Sequence, residues 1–192
     1  MKKILATLMV FAFMLTVIDA KDMKGGELTS LKSDMESYKK ATMNGDVDKL
    51  IDYVYPTVFK LMPKDVMIKQ LKAAYASGMM PKINKMEIVK IYPIQKFDKG
   101  EFTTVDYTMN LDMDSSKMPK EIKSKMLDML KSKLGSKSKV TQDDKNNLFH
   151  IEKFSTMYAI KEGNSSWKFI EKDQTKMLKT KKLLPEQIAE KL

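Results

Sequence analysis

The hydrophobic period of this chain changes once, near Pro81, and that change constrains the fold more than any other feature. Before it, apolar residues recur at helical spacing. Leu28, Leu31, Met35 and Tyr38 stand three and four residues apart, with lysines and acids between them, as on an amphipathic helix. Asn44 and Gly45 supply its stop, and Asp46 can cap the next helix, whose apolar face is Val47, Leu50, Ile51, Val54 and Tyr55. Pro56 interrupts that face, leaving 57–62 as either a last turn or a short strand. Pro63 and Asp65 open a third helix carrying Val66, Met67, Leu71, Ala74 and Tyr75, which stops near Gly78.

After Pro81 the period is two. Residues 83–97 alternate loosely, Asp98, Lys99 and Gly100 make a turn, and 102–113 follow as the cleanest strand. Val105, Tyr107, Met109, Leu111 and Met113 line one face; Asp106, Thr108, Asn110 and Asp112 line the other. A third strand is expected over 148–160, a turn over 162–166, a strand over 167–171 and a short helix over 185–191. Between the second and third strands lies an insertion, 115–147. Ile122, Met126, Met129 and Leu130 give it a helical stripe, and its tail, 135–147, is polar enough to be mobile. Helices first, then antiparallel strands, then a closing helix describe an α+β domain.

Residues 1–20 do not fit that pattern. Lys2 and Lys3 precede an unbroken apolar stretch over 4–18, and Asp19 and Ala20 close it before a polar run. The stretch is short for a membrane span, which needs about 20 apolar residues. It reads as an export signal cleaved after Ala20, which directs the protein to the periplasm or outside the cell. Its removal leaves 172 of the 192 residues, enough for one domain over 21–192 with its own core. The chain has no cysteine, so that core must hold without disulfides in an oxidising compartment.

The formal net charge of +10 falls to +9 when Lys2, Lys3 and Asp19 leave, and every basic residue is lysine. Bidentate reading of bases and phosphates is mostly arginine chemistry, so nucleic acid is not an expected partner. Eight lysines between residues 117 and 139 face only Glu121 and Asp128. Lys120, Lys123 and Lys131 are therefore the candidate basic surface, suited to peripheral contact with an anionic membrane or another envelope component.

Two runs carry a resemblance: Met43, Asn44, Gly45, Asp46, Val47, Asp48, Lys49, Leu50, Ile51, and Asn164, Ser165, Ser166, Trp167, Lys168, Phe169, Ile170. Together with the order of elements over about 27–173, the chain resembles the nuclear transport factor 2-like superfamily. The resemblance implies a curved meander sheet wrapped around a packed helix, forming a cone with an internal cavity. The lysine-rich insertion and the closing helix depart from that plan. The superfamily includes isomerases, dehydratases, cyclases and non-catalytic binding modules, so it implies a cavity and no one activity.

Its dehydratases use histidine with aspartate and its isomerases aspartate with tyrosine. The weak catalytic candidates here are accordingly Asp106 and His150, either of which would have to point into the cavity beside a tyrosine. Tyr38, Tyr53 and Tyr75 are the tyrosines the helices offer to such a cavity. Eighteen methionines raise the question of copper, but most lie on apolar stripes beside leucine and isoleucine, where methionine is adaptable filler. No metal or other cofactor is expected. The sequence reads as an exported, non-enzymatic binding module with an apolar cavity for a hydrophobic small molecule. A small lyase or isomerase, or a surface module acting through the basic helix, are the alternatives. Oligomeric state is left open.

Overall fold

The computed structural model describes residues 25–78, 80–134 and 136–190. The export signal expected over 1–20 lies outside the described residues. The chain runs α1 (Gly25–Asn44), α2 (Val47–Asp52), a 3-10 turn (Pro56–Lys60), α3 (Lys64–Ala76), β1 (Lys82–Ile91), β2 (Gln95–Phe97), β3 (Gly100–Asp114), α4 (Lys120–Leu134), β4 (Lys139–Asp143), β5 (Leu148–Glu162), β6 (Lys168–Glu171), α5 (Lys172–Thr180) and α6 (Glu186–Ala189). The expected α+β class, with helices preceding an antiparallel sheet, is observed.

The local signals at the helix ends act as read. Gly45 takes φ +63°, a left-handed conformation that closes α1. The Asp46 carboxylate accepts the Lys49 backbone N–H at 3.3 Å and so caps α2. Residues 56–60 settle as a 3-10 turn, because Pro56 lacks the N–H that a continuing α-helix needs.

The six strands form one antiparallel sheet in the order β1-β3-β5-β4, with β2 also on β3 and β6 also on β5. β3 and β5 are its spine, paired without interruption from Gly100 opposite Glu162 to Asp114 opposite Leu148. Gly100 is required there: a Cβ would stand 1.9 Å from the Lys161 carbonyl oxygen. The expected single strand over 83–97 is two, β1 and β2, separated at Tyr92, Pro93 and Ile94. Pro93 cannot donate to the ladder, and β1 already carries register shifts at 83/85 and 88/90.

One face of the spine is covered along its length. Val105, Tyr107, Met157 and Ala159 pack with Leu31 and Met35 of α1 and with Trp167. Trp167 is fully buried, its indole N–H donating to Ser30 Oγ at 3.1 Å and its backbone N–H to Asp34 at 2.8 Å. Further along, Phe149, Ile151 and Val140 pack with Met126, Leu127 and Leu130 of α4. The opposite face is covered at one end only, where Phe102, Tyr158, Ile160 and Ile170 lie under Leu178 of α5 and Ile188 of α6. The remainder holds Asp106, Asn110, Asp112 and His150.

Two expectations are corrected. The tail over 135–147, read as mobile, contains β4, whose backbone pairs with β5 from Lys139 opposite Glu152 to Asp143 opposite Leu148. Strand pairing there needs only one buried apolar side chain, Val140. α5 is also an element the periodicity missed, since only Thr175 and Leu178 of its nine residues are buried. The short closing helix is present but narrower than expected, as α6.

Candidate functional site

The third helix should bury its apolar stripe, yet α3 has no buried residue. Its Met67, Leu71 and Ala74 instead line a cavity of about 440 Å³. Leu50 of α2, Val54, Val58 and Met62 form one wall; Tyr38 of α1 and Phe169 of β6 form the floor. Gln70 and Gln174, both exposed, stand at the mouth. The volume falls within the ~300–1,000 Å³ typical of small-molecule sites, and the lining is mostly apolar with a few polar groups.

The floor is held from the sheet edge. The chain at 53–55 runs beside β6: the Phe169 N–H donates to Tyr53 O at 2.6 Å, and the Tyr55 N–H donates to Phe169 O at 3.0 Å. This fixes Phe169 beneath Tyr38, with ring centroids 4.9 Å apart. Glu171 follows two residues later on the same face and lines the cavity. It is the one charged residue among the lining side chains. Its carboxylate accepts the Tyr107 hydroxyl at 2.5 Å and the Ser155 hydroxyl at 3.1 Å, and it makes no ion pair among the described residues. Burial, and then the neighbouring Glu171 charge, push both the Tyr38 and Tyr107 phenols well above their ordinary range. Both phenols therefore stay protonated at any ordinary pH.

Of the three tyrosines expected at a cavity, Tyr38 lines it. Tyr53 stands behind the floor, 6.4 Å from Tyr38 and 6.1 Å from Phe169, and faces a separate polar groove with Lys168 and Asp52. Tyr75, half-buried on α3, packs under the α1–α2 turn, where a Cβ on Gly45 would come within 2.9 Å of its ring. Glu171, the group nearest to chemistry, was missed by sequence reasoning. The signal was the two-residue period itself, since a strand that turns Phe169 inward turns Glu171 inward as well.

Asp106 and His150 do not line this cavity. Asp106 lies on the opposite sheet face from Tyr107, half-buried, accepting hydroxyls from Tyr92 at 3.0 Å and Thr156 at 2.7 Å. Bonding to Asp106 raises the Tyr92 phenol. His150 stands opposite Asp112 on that same face, in a polar surface groove with Asn84 and Thr141. Its Nδ1 donates to Asp112 at 2.7 Å, and its Nε2 lies 3.5 Å from Asp143. These two carboxylates hold its pKa above the ordinary histidine value, Asp112 contributing most. Among the described residues no group of three or more histidine or acidic side chains is arranged to hold a metal.

The basic surface is partly redrawn. Lys120 and Lys131 are exposed, but Lys123 is only 8% exposed and donates to Asn147 Oδ1 at 2.7 Å. It sits on the docked side of α4, with Met126, Leu127 and Leu130, where a lysine was expected to be in water. No helix among the described residues is long and apolar enough to cross a membrane.

No family model matches this sequence, and no curated protein matches it. Among solved structures, one similar chain is a candidate dehydratase of the NTF2-like family from Streptomyces avermitilis, at 10% identity. It covers 75% of this chain and 91% of that one, with a TM-score of 0.37.

Proposed function

We propose that this protein is an exported, non-enzymatic binding module that takes a hydrophobic small molecule into the cavity beneath α3. The observation that carries the reading is α3 itself, which has an apolar stripe and no buried residue. A helix in water gains most of its stability from packing its apolar face. The stripe Met67, Leu71 and Ala74 finds only part of that packing in the protein, and a ligand supplies the rest. The helix-then-meander order further supports placing the domain in an NTF2-like cone. Export rests on the sequence of residues 1–20.

The test is uptake of an uncharged, environment-sensitive dye, N-phenyl-1-naphthylamine, by residues 21–192. Saturable one-to-one binding is expected, and Ala74→Trp, which puts an indole into the space, should abolish it. A folded protein that leaves the dye unbound would overturn the reading. The lyase or isomerase alternative loses its named candidates from this cavity, because neither Asp106 nor His150 lines it.

A second reading is favoured by one observation on α4. Ile122 and Met129 are 44% and 39% exposed, two helical turns apart on α4 at the edge of its docked side, with Lys125 and Lys133 flanking them. An apolar pair flanked by lysines suits shallow attachment to an anionic membrane. Vesicles containing phosphatidylglycerol should bind the protein at low salt and release it as salt rises. Equal binding to neutral vesicles would exclude this role.

A further inference from the structure

We infer that the cavity ligand carries a cationic nitrogen, a protonated amine or quaternary ammonium, on an apolar body, with the charge seated against Glu171. The inference rests on the reading of the cavity as a ligand site and names the chemistry that site accepts. Glu171 lines an otherwise uncharged cavity, and its protein partners are two neutral hydroxyls. The chain has 35 lysines, yet none pairs with this carboxylate among the described residues. A partly desolvated carboxylate without a countercharge is costly, and a cation entering the cavity removes that cost.

The surroundings discriminate further. Tyr38 and Phe169 line the same floor, and aromatic rings beside a carboxylate are the usual setting for binding alkylammonium groups. The Glu171 carboxylate stands in the same cavity as Tyr38 and bonds Tyr107, and after burial its charge is the next cause that raises both phenols. That charge repels a carboxylate headgroup, so fatty acids are disfavoured in a cavity whose walls would otherwise accept their chains. A neutral alcohol can donate a hydrogen bond to Glu171 but leaves its charge uncompensated. The neutral amides of Gln70 and Gln174 at the mouth place no cation in the way.

The experiment displaces N-phenyl-1-naphthylamine from residues 21–192 with three ligands of one chain length, decyltrimethylammonium and decanoate below their micelle concentrations and decanol below its solubility limit. The ammonium ligand should compete at least about tenfold better than decanol, and decanoate should be the weakest. In Glu171→Gln the ammonium-to-decanol ratio should fall to within about twofold, because the countercharge is gone. The ratio is read within each protein, so a general loss of affinity does not imitate the result. Should Glu171→Gln not fold, the ranking in the unmodified protein decides alone. Equal competition by all three ligands, or preference for decanoate, would overturn the inference while the dye-binding reading stands. Failure of the dye to bind at all is a failure of the earlier reading.

Discussion

The Tyr107 hydroxyl donates to the Glu171 carboxylate across 2.5 Å, tying the middle of β3 to the last residue of β6. Between those strands lies β5, which contributes Ser155 to the other carboxylate oxygen. Three strands therefore converge on one side chain, at the point where the chain leaves the sheet for α5. Tyr107→Phe removes one of two neutral donors and leaves a partly buried carboxylate less well solvated. Hydrogen bonds to charged groups contribute roughly 1.5–3 kcal/mol. Tyr107→Phe should therefore lower unfolding free energy by an amount in that range, read from urea denaturation. A loss below about 0.5 kcal/mol would mean that water replaces the phenol without difficulty.

His150 offers a prediction about pH. Its folded-state pKa is raised, first by the bond to Asp112 and then by Asp143. Burial works against ionisation of Asp112, but the bonds from His150 and Asn84 outweigh it and hold that carboxyl below its ordinary value. A raised histidine contributes stability that is fully present below its unfolded value of 6.5 and is lost as pH rises through the folded value. A lowered aspartate contributes above 3.8 and loses its contribution as pH falls through the folded value. The clamp between β3 and β5 is thus strongest between those two ordinary values. NMR titration should place the His150 midpoint above 6.5, and Asp112→Asn should bring it down. A midpoint unmoved by Asp112→Asn would assign the shift elsewhere.

Gly100 tests the close approach of the two spine strands. Its ideal Cβ would lie 1.9 Å from the Lys161 carbonyl oxygen and 3.0 Å from the Glu162 Cα, so backbone rather than a flexible side chain has to move. Gly100→Ala should cost about 1–3 kcal/mol, in the range of overpacked sites, despite alanine's lower conformational entropy cost. Denaturation midpoints check it, and an unchanged midpoint would show that the strands can separate freely at that end.

Much of this architecture was legible because its signals are local. Gly45 and Asp46 specify a turn through backbone conformation and capping, and the alternation from Val105 to Met113 specifies which face of β3 is buried. β4 and α5 were not legible for the opposite reason. Val140 is the single buried residue of β4, which is stabilised by pairing with a strand that follows it in the sequence. α5 turns Thr175 and Leu178 inward while Met177 is 54% exposed, so its apolar residues do not mark one stripe. Lys123 was misread because a lysine on a helix is ordinarily in water, and only the fold brings Asn147 to its ammonium. A cavity was expected, but its place beneath α3 was not legible, for a deeper reason. The stripe Met67, Leu71, Ala74 is the same pattern whether a helix lies on a core or over a space. The sequence carries the apolar face of α3 but not the distance to what faces it.

That distance gives the last prediction. Because α3 has no buried residue, while α1 buries Leu31, Met35 and Ala41, the amides of α3 should exchange with solvent faster than those of α1. Local opening is governed by how much apolar contact the opened segment gives up, and α3 gives up little. A ligand in the cavity adds contacts to Met67, Leu71 and Ala74, so it should slow exchange throughout α3, whose opening releases the ligand. Ligand at a hundredfold excess over its dissociation constant stabilises the whole fold by about 2.7 kcal/mol. Protection should therefore rise throughout the most stable elements by a common amount and in α3 by its own local increment. Hydrogen exchange read by mass spectrometry with and without N-phenyl-1-naphthylamine separates the two. Slowing confined to α4, with α3 unchanged, would move the binding site away from the cavity and onto the exposed Ile122 and Met129.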